Sequence, residues 1–312
     1  MTQVAVLITG YNRPDLLETL LNSLQNYDGK LYVSLDYPKD YNKDGEAFEE
    51  NRLLCRRYSN VISECQIFDV NQGCFQGVTK AISWAFEKED KLIIFEDDIE
   101  FNKAFLRFAN EALVQLEGND SIGSISGLNL VPRLSQSFPS ESTRLSVYTA
   151  TWGWATWKNR WQDYMADLGT FPKLDWSWAS QSWSQPEKYY WKKIFKSVAN
   201  GNVDSYGYRW LYSNWKRGRW TLTPNENLTL NLGFGPKATH TRDEDHPWWL
   251  PTEISSEFVF KELNQDIKFD VNADKWVSKN HFRTDWIYQV RAHVGRKFPK
   301  ISRFIKSCLP HQ

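Results

Sequence analysis

The sequence lacks most signatures that announce a function. It has only four cysteines in 312 residues, Cys55, Cys65, Cys74 and Cys308. None forms a CxxC pair, and no Cys/His group has zinc spacing. Zinc fingers and CxxC redox centres are therefore set aside, and reduced thiols are the simplest reading. There is no GxGxxG after the first apolar run and no GxxxxGK[ST] anywhere, so dinucleotide and P-loop chemistry have no support. Lys plus Arg and Asp plus Glu stand at 38 each. No overall field exists to gather nucleic acid. No apolar run approaches the ~18 residues of a membrane span. The opening run Val4–Ile8 is too short for a signal core. The expectation is a soluble, cytoplasmic protein with at most peripheral contact at the inner face of a membrane.

What the chain has in excess is tryptophan. Of 16, thirteen lie between Trp152 and Trp249. This shift suggests three regions: an α/β part over 1–130, a Trp-rich part over 131–245, and a basic aromatic segment over 246–312.

The first region alternates strand and helix patterns. Val4–Ile8 reads as a strand buried on both faces, and Pro14 suits the first turn of a helix with a leucine stripe. Further strands are expected at Lys30–Asp36, Cys65–Val70, Leu92–Phe95 and Ser121–Ser126. Helices are expected at Gly45–Ser59, at Val78–Glu87, and along the stripe from Phe101 to Leu116. Such alternation implies an α/β fold with a mostly parallel sheet flanked by helices. Ligands bind beyond the carboxyl ends of such strands. There the sequence puts Tyr11–Asn12–Arg13, Asp36, Asn71–Gln72–Gly73 and the triplet Glu96–Asp97–Asp98.

Three adjacent acids after a buried strand repel one another. They can cap the next helix, where negative charge is favoured. They can also serve as hard oxygen ligands for Mg²⁺ or Mn²⁺ shared with substrate phosphates.

The stretches "VLITGYNRPDLLETLLNSL", "VSLD", "NQGCFQGVTKAISWAF" and "LIIFEDDIEFNKAFLRF" resemble the nucleotide-sugar domain of GT-A glycosyltransferases. The likeness is to the N-acetylglucosaminyltransferase I type and to bacterial family 2-like enzymes. It implies a Rossmann-like GT-A fold and a metal-dependent hexosyl- or N-acetylhexosaminyltransferase. The donor would be a nucleotide-diphosphate sugar such as a UDP-sugar. The sugar would pass, with inversion, to a glycan or lipid-linked acceptor in bacterial surface polysaccharide synthesis. By the same likeness Asp98 would hold Mn²⁺ or Mg²⁺, Asp97 the ribose or a metal-bound water, and Glu96 the donor sugar. Arg13 and Asp36 would contact the uridine part. Asn71 and Gly73 make either a tight turn or a close approach to phosphate.

The segment "GWATWKNRW" also resembles the acceptor side of the bacterial relatives. The rings of the longer run "TATWGWATWKNRW", Thr149 to Trp161, are either core or a sugar-stacking platform. The string from Pro224 to Thr241 matches relatives again. His240 is the candidate that completes the metal or diphosphate site, with a structural histidine as the alternative and Lys237 as another diphosphate group. Relatives show Trp-Asp where this chain has Tyr206–Gly207. The proton acceptor is therefore assigned to the nearest acid, Asp204, with Asp175 and Asp163 as alternatives.

From His281 to Gln312 there are seven basic residues and one acid, with apolar residues at helical spacing. This is either a membrane-surface segment or a docked terminal helix, interrupted at Pro299. Two other functions share parts of the pattern: a non-catalytic carbohydrate-binding protein using the Trp-rich part, and a sugar nucleotidyltransferase. The second usually has a Gly-rich basic first turn, which "TGYNRPD" does not offer.

Overall fold

The computed structural model describes residues 3–137, 143–169, 172–178, 183–233, 249–255, 258, 267–286 and 288. His240, Lys237, Cys308 and most of the segment from His281 to Gln312 lie outside these residues.

The expected alternation is present. β1 (Ala5–Gly10), α1 (Pro14–Ser23), β2 (Leu31–Leu35), α2 (Tyr41–Arg57), β3 (Glu64–Ile67), α3 (Gly73–Phe86) and β4 (Lys91–Glu96) follow in turn. Then come β5 (Ile99–Phe101), α4 (Lys103–Gln115), β6 (Ile122–Ser126), β7 (Thr143–Ser146), β8 (Trp154–Trp157) and α5 (Lys158–Trp161). The series ends with α6 (Gln185–Ala199), α7 (Tyr206–Lys216), β9 (Trp220–Pro224), β10 (Thr229–Asn231) and α8 (Val271–Asn280).

Eight strands form one sheet in the order β3-β2-β1-β4-β8-β6-β9-β7. β1 pairs in parallel with β2 and β4, and β2 with β3. β8 runs antiparallel between β4 and β6, so strands from the Trp-rich part continue the sheet begun by the first region. β5 and β10 make a separate antiparallel pair.

The continuous apolar runs of β1 and β2 are buried throughout, because helices cover both faces. One face packs Val6, Ile8, Ile93 and Phe95 against α1, α2 and α4. The other packs Ala5, Leu7, Leu92 and Ile94 against α3 and α7. A third, aromatic core joins α6, α7 and α8 around Trp191, Trp215 and Tyr148.

Two helix starts differ from the sequence expectation, for one reason. α2 begins at Tyr41 because the Asp40 side chain accepts the Asn42 N–H at 3.1 Å. α3 begins at Gly73, where φ is +75°, because a carboxylate from another strand caps it. Asp36 accepts the N–H groups of Gln72 (2.8 Å) and Gly73 (2.9 Å). A cap supplied across the sheet leaves no local signal, so "NQGCFQG" reads as a turn.

Most of the tryptophans are core. Trp154, Trp157, Trp191, Trp210 and Trp215 are among the largest fully buried side chains. Trp154 and Trp157 stand three apart on β8 and therefore face opposite cores. The indole N–H groups of Trp157, Trp210 and Trp215 donate to Leu113 O, Ser124 Oγ and Val147 O at 2.6–2.9 Å. Only Trp152 of this cluster lines the cleft described below. The sugar platform expected of the segment is thus reduced to one ring.

Candidate active site

The carboxyl ends of the parallel strands open into a cleft of about 1050 Å³. It brings together Arg13, Asp36, Asn71, Glu96, Asp97, Asp98 and Asp204, seven residues spread over nearly two hundred positions of sequence. Asp163 and Asp175 are not part of it. Asp163 is engaged by Arg217 (2.5 Å) and Arg219 (2.7 Å). Asp175 closes its own turn onto Ser177.

β4 ends at Glu96, and the triplet turns with it. The three acids diverge. Glu96 accepts the Tyr206 hydroxyl at 2.9 Å. Asp97 accepts the Tyr11 N–H at 3.0 Å and an Arg13 N–H at 3.1 Å. Asp98 also accepts from Arg13. The two aspartates are nearly buried, with side chains 6% and 7% exposed, and Arg13 is 17% exposed.

Burial pushes Glu96 and Asp97 above the ordinary carboxylate range, and the neighbouring Asp98 charge adds to it. Tyr206 and Arg13 pull Glu96 the other way, and Arg13 and the Tyr11 N–H do so for Asp97. Burial works against the charge of Arg13, but the three acids outweigh it and hold the guanidinium above its ordinary value.

The side of the cleft below β2 and β3 is braced by Asp36. Its two oxygens accept four hydrogen bonds, from the N–H groups of Tyr37, Gln72 and Gly73 and from Asn71 Nδ2 at 3.2 Å. That fills the acceptor capacity of a carboxylate. Asn71 also donates to Tyr37 O at 2.7 Å. These two residues tie the β2 and β3 turns together and leave the N-terminus of α3 facing the cleft. Burial still raises Asp36 against those bonds. Asp204, exposed at the rim, accepts the Phe75 N–H at 3.1 Å in the first turn of the same helix.

The structure adds roles that the sequence reading did not assign. Asp44, one helical turn after the Asp40 cap, accepts from Tyr11 Oη (3.1 Å) and Asn12 Nδ2 (3.0 Å) and so fixes the first turn. The spacing Asp40–Asp44 on one face of a helix start was the available signal. Tyr206 caps Glu96, and nothing in its local sequence points there. Gly233 lies against Asp98: a Cβ built on it would stand 1.9 Å from Asp98 Oδ2. Asn231 Oδ1 holds the Gly233 N–H at 2.7 Å.

Among the described residues the cleft is lined by seven acids, Asp36, Asp40, Asp44, Glu96, Asp97, Asp98 and Asp204, against three bases, Arg13, Lys39 and Lys43, a formal balance of −4. Such a surface repels a bare diphosphate and accepts one accompanied by cations. Among the described residues no group of three His, Cys, Asp or Glu side chains forms a cage for a metal ion. Hard carboxylate donors without a full cage fit a Mg²⁺- or Mn²⁺-type ion that takes its remaining ligands from substrate phosphates and water.

No family model and no curated protein matches the chain. Solved structures do, at low similarity. S. aureus TarS is 15% identical with a TM-score of 0.39, over 69% of this chain and 71% of that one. The mannose-1-phosphate geranyltransferase from Thermus thermophilus is 12% identical with a TM-score of 0.33, over 72% and 74%. The glycosyltransferase GlyE of Streptococcus pneumoniae is 11% identical with a TM-score of 0.32, over 71% and 45%. At these scores the likeness carries nothing about the chemistry of the cleft. Among the described residues no helix is long and apolar enough to cross a membrane.

Proposed function

We propose that the protein is a metal-dependent glycosyltransferase that moves a sugar from a UDP-sugar to a hydroxyl of a glycan or lipid-linked acceptor, with inversion, in the building of a bacterial surface glycan. The observation that carries this reading is the convergence of Arg13, after β1, with the acids after β2 and β4 in one cleft with a net negative lining. The order of motifs along the sequence supports it independently.

In this reading Asp98, with Asp97 beside it, would hold Mn²⁺ or Mg²⁺, and His240 remains a candidate from outside the described residues. The ion, when bound, would neutralise the departing diphosphate. Asp36 and Asn71 shape the turn that receives the nucleoside, and Asp44 fixes Tyr11 and Asn12 opposite. Arg13 brings the positive charge of the first turn to the diphosphate side. Glu96 faces the donor sugar from its bond with Tyr206. Asp204 takes the proton from the acceptor hydroxyl at the rim of the cleft. Trp152 offers one aromatic face to a sugar. A sugar-binding protein without catalysis is less well supported, because most of the described tryptophan rings it would use are buried.

The test is calorimetry with UDP. The wild-type chain should bind UDP with Mn²⁺ present and not in its absence, and Asp98→Ala should lose the metal-dependent part. UDP binding that ignores the metal, or full turnover of a UDP-sugar by Asp98→Ala, sinks the assignment.

A further inference from the structure

The geometry points to Arg13 as a resident counter-ion that occupies Asp98 in the free protein and must leave it before a divalent cation can bind. This inference rests on the cation site of the proposed function and adds to it an order of events.

Two adjacent carboxylates, each nine-tenths buried, are costly in the same pocket unless a cation meets them. Arg13 does so. It stands at the cap position just before α1, where its side chain makes no capping bond to the helix. One Nη1 reaches both Asp97 Oδ1 and Asp98 Oδ2. The other flank of Asp98 Oδ2 is closed by the backbone at Gly233, where even a methyl group would overlap the oxygen. With guanidinium on one side and chain on the other, a metal ion reaching Oδ2 from the cleft has to take the place of the guanidinium. A cation on that oxygen and Arg13 on the same oxygen are mutually exclusive.

The displaced guanidinium stays beside the diphosphate position, and planar guanidinium matches phosphate oxygens in pairs. The metal needs Arg13 moved, and the nucleotide gives Arg13 somewhere to go. Metal and nucleotide should therefore each raise the affinity for the other by one shared factor.

Mn²⁺ uptake, read by the loss of the free-ion electron paramagnetic resonance signal, tests this without turnover. Wild-type protein should bind Mn²⁺ weakly alone and at least ~10-fold more tightly with UDP. Arg13→Ala should bind Mn²⁺ alone at least ~10-fold more tightly than wild type, and UDP should then add little. Arg13→Lys keeps the charge without the fork and should fall between. Arg13→Gln serves as a second variant if Arg13→Ala does not fold. Wild-type uptake with unchanged or weaker uptake by the Arg13 variants overturns the counter-ion role alone. No uptake by any of the proteins, with or without UDP, overturns the cation reading and the counter-ion role together.

Discussion

Asp274 should make the fold less stable as pH rises. It sits on α8, 1% exposed, where the Ser146 hydroxyl donates to Oδ1 at 2.5 Å and the Val147 N–H donates to Oδ2 at 2.8 Å. Burial pushes its carboxyl up to about 7 from an ordinary 3.8, in spite of those two bonds and the charge of Arg144. The native state thus keeps its proton to a higher pH than the unfolded chain does. The stability is complete below about pH 4 and is lost as pH rises through about 7. A rise of about three pH units at about 1.36 kcal/mol each gives roughly 4 kcal/mol in all, of which somewhat more than half falls between pH 5 and pH 8. In Asp274→Asn the amide oxygen can keep the Val147 N–H, and the amide N–H can meet a rotated Ser146 hydroxyl. The variant should lack this slope and gain roughly 2–3 kcal/mol on wild type between the two pH values. Urea unfolding at both pH values measures it, with equal m-values required. Burial also raises Glu96 and Asp97, but both titrate alike in the two proteins and cancel in the comparison. Parallel stability–pH curves for wild type and Asp274→Asn would refute the reasoning.

The other predictions concern the cleft and the aromatic core. Asp204→Asn should lower kcat by about 10²–10⁴-fold while leaving UDP–Mn²⁺ affinity as it is; an unchanged kcat removes Asp204 as the proton acceptor. Trp191→Ala should cost about 3–5 kcal/mol in urea unfolding. Trp152→Ala should change stability by less than about 1 kcal/mol and raise the KM for acceptor. The reverse pattern would restore a tryptophan platform.

The sheet was legible because β1, β2 and β4 announce themselves by apolar runs that need two covered faces, and because α1 and α4 carry clean stripes. The start of α3 was not legible, because its cap is Asp36, thirty-seven residues before Gly73. The Trp-rich part resisted reading for a related reason. Trp154 and Trp157 serve two cores from one strand, and Trp191 and Trp215 serve a third from two helices. No single period describes rings distributed that way.

By itself, the sequence determined that strands and helices alternate, that polar turns follow the strands, and that Glu96, Asp97 and Asp98 close the fourth strand, because apolar periodicity and turn chemistry are local properties of the chain. Only the tertiary structure decided which of those acids is met by Arg13, which by Tyr206, and that Gly233 closes the far side of Asp98. Those pairings join residues 85 to more than 100 positions apart, and the charge balance of a buried pocket depends on what packing brings across it.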